Sequence, residues 1–211
     1  MPESQALLPT MEVDSELRAP GIVAQIVRFG IPEPTATLHQ MAEGYHINMC
    51  LTPRPLESRA GYPKRWGPHR FERPGDIFLL PPGEELYVKG GTGRQASLIC
   101  TLEAALLHDV VGRDLEWDDQ HLAATLDISS AQVRALLFRI TAEIRHPGLA
   151  ATKMLELLGA ELAIELGRYC YEVAERPVTG GLAGWRLRLI DERLDESLAP
   201  PSLQELADLC S

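Results

Sequence analysis

The spacing of apolar positions changes once, near residue 103, and divides this 211-residue chain into two textures. Between residues 21 and 102 apolar and polar residues alternate over short runs: "GIVAQIVRFG", "TATLHQM", "GYHINMCLT", "DIFLLPP", "ELYVKGG" and "RQASLICTL". A period of two sends successive side chains to opposite faces of a strand, and the Gly, Pro and Asn residues between the runs mark turns. Many short strands with frequent breakers predict a sandwich or a barrel. Residues 1–20 are polar, contain proline and read as a flexible N-terminal arm.

Beyond residue 103 the period lengthens to that of a helix. A short helix is expected near 103–111, and "AATLDI" reads as one returning strand. Val133, Leu136, Leu137, Ile140 and Ile144 follow the helical period, with Ser129 or Ser130 placed to cap the start and Pro147-Gly148 to end it. A longer helix is predicted over 149–174. Leu155, Leu158, Leu162, Leu166 and Tyr169 form its seam, widened by Leu157 and Ile164. The two helices make an αα-hairpin. Its apolar face is wider than one sheet needs, so either part of it, with the five seam residues as candidates, forms a homodimer interface, which is the expectation, or the hairpin simply covers the sheet.

"ERPVTGGLAG" is the Gly/Pro-rich break after the helices, giving a linker at 175–181 between a domain at 21–174 and a segment at 182–211. Leu182, Trp185, Leu189, Ile190, Leu194 and Leu198 then follow a helical period up to Pro200-Pro201. Ser202-Leu203-Gln204-Glu205 has the spacing of a capping box, in which serine and glutamate each satisfy the other's backbone amide. Leu203, Leu206, Ala207 and Cys210 share one face of the helix it would start.

Charge and composition narrow the function. A formal charge of −10 argues against a large nucleic-acid footprint in this portion, because phosphates are met by Lys and Arg. Four cysteines (Cys50, Cys100, Cys170, Cys210) lie far apart without a CxxC pair, which points to reduced thiols and a cytoplasmic location. The N-terminus lacks the basic and apolar stretches of a signal peptide, and no run is long enough to span a membrane.

The stretch "GDIFLLPPGEEL" carries Gly75, Pro81, Gly83 and Leu86 at the spacing of the second sequence motif of the cupins, small β-barrels of jelly-roll type. In metal-dependent cupins the position of Leu86 is a histidine ligand. The other cupin motif, counted from Gly44, places Cys50 and Thr52 where its histidines would stand and Glu57 at its glutamate. Cys, Thr, Glu and Leu form a poor site for Fe, Mn or Zn, so neither a metal nor another cofactor is expected.

A pocket could remain without the metal. On "GYHINMCLT" either Tyr45, Ile47, Met49 and Leu51 turn inward as core, or His46, Asn48, Cys50 and Thr52 turn toward the barrel interior as effector contacts. "RAGYPKRWGPHRFERPGD" gathers Arg59, Lys64, Arg65, His69, Arg70 and Arg73 around Tyr62 and Trp66. It reads either as a mouth loop that clamps an acidic or aromatic effector or as a solvated surface loop. Leu86 completes the candidate effector-binding set. His39, His108, His121 and His146 are isolated in sequence and read as structural or surface residues. No Ser/His/Asp signature, P-loop or GxGxxG is present, so no catalytic residue is assigned.

The order of these parts resembles the AraC/XylS-type bacterial transcriptional regulators. "PGDIFLLPPG" is similar to the barrel segment of their effector-binding domains. "WRLRLIDERLDESLAPPSLQELADLCS" is similar to the first helix of their DNA-binding domain and the scaffold helix of its leading helix-turn-helix. The resemblance implies an α+β protein: a cupin-like β-barrel, an α-helical hairpin, then the first helices of a truncated helix-turn-helix domain. It also implies a small-molecule effector of unknown identity, a homodimer, no enzymatic activity and no membrane partner. Promoter DNA is implied only for a full-length version, since no complete DNA-binding element follows Glu205. The alternative is a cupin-fold enzyme, an isomerase or dioxygenase, with a helical tail.

Overall fold

The alternating half of the chain forms, among the described residues, eight strands: β1 (Thr10–Ala19), β2 (Ile22–Ile31), β3 (Thr35–Gln40), β4 (Tyr45–Cys50), β5 (Arg59–Gly61), β6 (Ile77–Leu80), β7 (Glu85–Gly90) and β8 (Gly93–Leu102). The structure is a computed structural model and describes residues 9–55, 57–112, 115, 117–175, 190, 193–194, 201–202 and 204–206. All six expected strands are present.

The strands build two antiparallel sheets. One has the order β1-β2-β8-β4-β6 and the other β3-β7-β5; an isolated bridge, Ala60↔Glu72, extends the smaller sheet past β5. Each of the last two strands lies between strands made much earlier, β8 between β2 and β4 and β7 between β3 and β5. This interleaving is the double Greek key of a jelly roll. The fold class is therefore α+β: a cupin-like antiparallel sandwich followed by helices.

Residues 10–19 are not a loose arm. β1 pairs with β2 from Thr10↔Gly30 to Ala19↔Ile22, with one irregularity between Val13 and Ser15. Pro20 and Gly21 make the connecting turn, and Gly21 holds φ +76°, which a side chain would oppose. The polar outer residues hide the strand in sequence and add contacts to the backbone ladder: Arg28 Nη2 donates to Asp14 Oδ2 across the pair at 3.1 Å, and Gln25 Nε2 donates to Glu16. At this edge strand most side chains remain exposed, so little apolar signal is required.

The helices are α1 (Pro63–Trp66), α2 (Ala104–Val111), α3 (Asp119–Thr125), α4 (Ala131–Arg145) and α5 (Ala151–Glu175). "AATLDI" is not a returning strand; its first three residues finish α3. Asp118, just upstream, accepts from the His121 amide at 2.8 Å and starts that helix. The Thr125 hydroxyl is satisfied by the Leu122 carbonyl at 2.8 Å, which removes the usual objection to a β-branched residue there. Ser130, rather than Ser129, caps α4, accepting from the Val133 amide at 3.3 Å.

Both long helices lie over the outer face of the larger sheet. Ile22, Ala24, Ile26, Ile47, Met49, Leu98 and Cys100 from the strands pack with Leu136, Ile140, Leu155, Leu158 and Leu162 from the helices in one core. A Cβ on Gly159 would lie 2.9 Å from Ile22 Cγ2, so only glycine lets α5 approach β2 this closely. Leu155, Leu158, Leu162, Leu166 and Tyr169, expected at a dimer seam, are all buried inside this core. The sheet takes the seam because burying its own apolar face requires all of it.

The chain divides into two units, Met1–Glu175 and Arg176–Ser211. In the second, the capping box forms: the Ser202 amide donates to Glu205 Oε2 at 2.7 Å and the Glu205 amide to Ser202 Oγ at 3.3 Å. These bonds hold the Glu205 carboxyl below the ordinary carboxylate range. Ile190 and Arg193-Leu194 are helical. The rest of the expected linker and helices, including Leu182, Trp185, Leu189, Leu198, Leu203, Ala207 and Cys210, lies outside the described residues. No helix among the described residues is long and apolar enough to cross a membrane.

Candidate functional site

Strand β4 answers the choice left open by its sequence: both of its faces are used. Tyr45, Ile47 and Met49 join the core under the helices, while His46 and Asn48 point the other way and line a cavity of about 380 Å³. β2 contributes Phe29 and Ile31, β6 Phe78 and Leu80, and β8 Gln95 and Ile99. The smaller sheet closes the opposite side with Thr35, Thr37 and His39 of β3 and Leu86, Val88 and Gly90 of β7. Arg54, Pro55 and Ser58 come from the loop after β4, and Pro9, Thr10 and Met11 lie at the rim. The volume falls within the range of small-molecule sites.

Two wall residues are left polar and incomplete. Asn48 is 6% exposed, and its Oδ1 has no hydrogen-bond partner among the described residues. Arg54 Nε donates to the Gly75 carbonyl at 3.2 Å and its guanidinium lies over the Phe78 ring at 5.2 Å. The buried Nη2 of Arg54 also lacks a partner among the described residues. Burial lowers the Arg54 pKa, with Cys50 and Asp76 acting in the opposite direction. Leaving such groups unpaired costs on the order of 1–3 kcal/mol each, a cost that a ligand can remove.

Gly75 fixes the place of that arginine. A Cβ on it would stand 1.8 Å from Asp127 Oδ1 and 2.9 Å from Asp127 Cβ, and its amide donates to the Leu126 carbonyl at 2.8 Å. At the other end of the same motif, Gly83 turns the chain from β6 into β7 at φ +79°. The motif therefore describes a real corner of the barrel.

His46 is pushed down to about 4, chiefly by burial and further by nearby His39. His39, at the open rim, moves the same way through burial. His46 is thus a neutral imidazole near pH 7, able to donate from one nitrogen and accept at the other.

The expected site residues separate. His46, Asn48 and Leu86 line the cavity. Cys50 sits beside it, receiving a hydrogen bond from lining residue Gln95 at 3.2 Å, and burial pushes its thiol up. Thr52 is exposed and accepts from the Ala96 amide at 2.9 Å, which closes the end of the sheet. Trp66, His69 and Arg70 are not in the cavity. Trp66 packs edge-on against Tyr62 at 5.1 Å, with Arg70 over its outer face at 4.1 Å, and His69 is exposed. Two of the loop's other cations face acids at the β6–β7 turn: Lys64 meets Glu85 at 2.6 Å and Arg65 pairs with Glu84. Neither Lys64 nor Arg65 is left as a free cation for a clamp.

Among the lining residues that the sequence did not single out are Arg54, Ser58 and His39. His39 was placed among the structural histidines, yet it stands directly across the ladder from Leu86. The strand beside Leu86 is β3, and the inward alternation Thr35, Thr37, His39 was the available signal.

A cupin-type metal does not fit this wall. Leu86 offers no donor atom, no carboxylate lines the cavity, and no group of three His, Cys, Asp or Glu side chains comes together among the described residues. Cys50, Cys100 and Cys170 are free thiols.

No family model matches the chain. No curated protein matches it either. Among solved structures it is similar to the cupin domain of Schizosaccharomyces pombe Cnp3, at 12% identity and TM-score 0.35 over 51% of this chain and 71% of that one. KdgF from Halomonas sp. matches at 16% identity and TM-score 0.33 over 45% and 80%. A cupin superfamily protein from Desulfitobacterium hafniense matches at 15% identity and TM-score 0.32 over 48% and 83%. The assignment of a cupin-like sandwich rests on the strand order described above, not on these low scores.

Proposed function

We propose that this chain is the ligand-sensing and dimerising portion of an AraC/XylS-type transcriptional regulator acting in the cytoplasm. The observation that carries the ligand-sensing reading is the cavity: about 380 Å³, mostly apolar, with Asn48 Oδ1 and Arg54 Nη2 unsatisfied in its wall and, among the described residues, no metal-ligand set. A barrel built only as a spacer would fill this volume with its own side chains. Ser202 and Glu205 add support, since their reciprocal cap starts a helix where the resemblance places the scaffold helix of a helix-turn-helix. A ligand touching β3 and β7 on one side and β4 on the other ties the two sheets together, and the larger sheet carries the hairpin on its far face.

Dimerisation is assigned to a different surface from the buried seam. Met154, Leu157, Ile164 and Tyr171 remain exposed along α5 at spacings of three and seven, with Glu161 and Arg168 between them and Phe138 exposed on α4. An antiparallel α5 pair centred on Ile164 sets Leu157 against the second copy's tyrosine at position 171 and brings Glu161 near its arginine at position 168.

Purified protein is expected to bind small organic molecules detectably by thermal shift and to sediment as a dimer, with Leu157→Lys giving a monomer. Stoichiometric Fe, Mn, Ni or Zn retained through purification would overturn this reading in favour of a cupin-fold enzyme. A wild-type monomer at every concentration would remove the dimer.

A further inference from the structure

We infer that the cavity takes a small monocarboxylate with an apolar body and a hydrogen-bond donor, its carboxylate on Arg54 and its donor on Asn48. The inference rests on the ligand-sensing reading and narrows it to a chemical class.

Charge is the first argument. Among the described residues lining the cavity, Arg54 alone carries a permanent charge, and no Asp or Glu lines it. A buried cation with apolar neighbours gains most from an anion brought to it. Arg54 is also pre-positioned for that task. Its Nε is held by the Gly75 carbonyl and its plane lies over Phe78, which leaves the unsatisfied Nη2 as the group that a carboxylate oxygen can complete. Asp76 acts on Arg54 only through its charge, with no hydrogen bond to it, and also pairs with Arg134 at 3.6 Å.

Stoichiometry of charge selects a monoanion. One guanidinium neutralises one charge, whereas a phosphate monoester carries between one and two near pH 7 and would leave the excess beside Phe78, Leu80 and Ile99. His46 supplies no second cation, being neutral in that range. The second unsatisfied atom, Asn48 Oδ1, is an acceptor and calls for an O–H or N–H on the ligand. Phe29, Phe78, Leu80, Leu86, Val88 and Ile99 supply most of the remaining wall, with Thr35, Thr37, Ser58 and Gln95 as further polar contacts, so the larger part of the ligand's body is aromatic or branched aliphatic.

The test is a thermal-shift and calorimetric panel on the full chain. It uses benzoic acid and branched C5–C8 aliphatic acids, the hydroxylated form of each, and the primary amide of every member. Acids are expected to raise the midpoint and their amides not to. Hydroxylated acids should bind best, Arg54→Gln should weaken acids roughly 10- to 100-fold, and Asn48→Leu should remove the advantage of the hydroxyl. Amides binding as well as acids, or acid binding undiminished in a cooperatively folded Arg54→Gln, overturns the carboxylate assignment and leaves the ligand-sensing reading intact. Equal binding of plain and hydroxylated acids overturns the role of Asn48. If Arg54→Gln does not fold, the acid–amide comparison in the unaltered protein decides. No shift from any member, acid or neutral, counts against ligand sensing itself and removes this inference with it.

Discussion

The larger sheet presents two faces built from the same strands. Toward the helices, Ile22, Ala24, Ile47, Met49, Leu98 and Cys100 are fully packed against α4 and α5, close enough to require glycine at position 159. One residue away along each strand, His46, Asn48, Gln95 and Ile99 face open volume, and two buried atoms of the wall lack partners. Alternation thus lets one ten-residue strand pack a core on one side and line a cavity on the other. The first face gains from every methyl group; the second retains an energetic deficit that a ligand can relieve.

Four measurements sharpen or break this contrast. The largest effect is expected from Ile47→Ala on the dry face. It removes well-packed atoms and should cost about 2–5 kcal/mol, lowering the thermal midpoint by roughly 4–20 °C; a loss under 1 kcal/mol would mean that face is not tightly packed.

Next comes acid. The folded-state pKa of His46 lies near 4, below the ordinary histidine value, so the unfolded chain binds the proton more readily between them. Stability contributed by this residue is therefore whole above about pH 6.5 and lost as pH falls toward 4, by up to about 3 kcal/mol. Urea unfolding of the wild type and His46→Leu at pH 7 and pH 4.5 checks it: the wild type should lose more. An identical pH dependence in both proteins would place His46 in contact with water.

A smaller effect of the opposite sign belongs to the cavity face. Asn48→Leu replaces an unsatisfied amide with apolar volume and should stabilise the free protein by about 1 kcal/mol while weakening ligands. Destabilisation would show that the amide already has a partner. The least change, no more than about 0.5 kcal/mol, is expected from Arg139→Ala, whose pairing with Glu161 at 3.5 Å is exposed on both sides.

These contrasts also explain what could be read from sequence. Apolar periodicity located six of the eight described strands and both long helices. It missed the three-residue β5 and also β1, most of whose side chains are exposed and whose apolar contribution to the core is confined to Leu17 and Ala19 at one end. It assigned the buried seam of α5 to a second molecule because a stripe of leucines does not say which surface covers it. The cavity was half legible. His46 and Asn48 follow from alternation once both faces of β4 are buried, but Arg54 depends on a loop bond to Gly75 that no local pattern encodes. Trp66 and Arg70 looked like a binding pair and are one, but to each other.

The interleaved strand order has a further consequence in time. On the ribosome β2 emerges long before β8, its partner along the whole ladder from Ile22↔Leu102 to Ile31↔Gly93. Until residue 102 is available the larger sheet has no centre, and β3 likewise waits for β7. Such long-range pairing slows folding and leaves strand edges open to neighbouring chains. The β1–β2 hairpin, with its early turn at Gly21 and its charged cross-strand contacts, is the part that can form first and shield one of those edges while the rest of the sandwich is still being made.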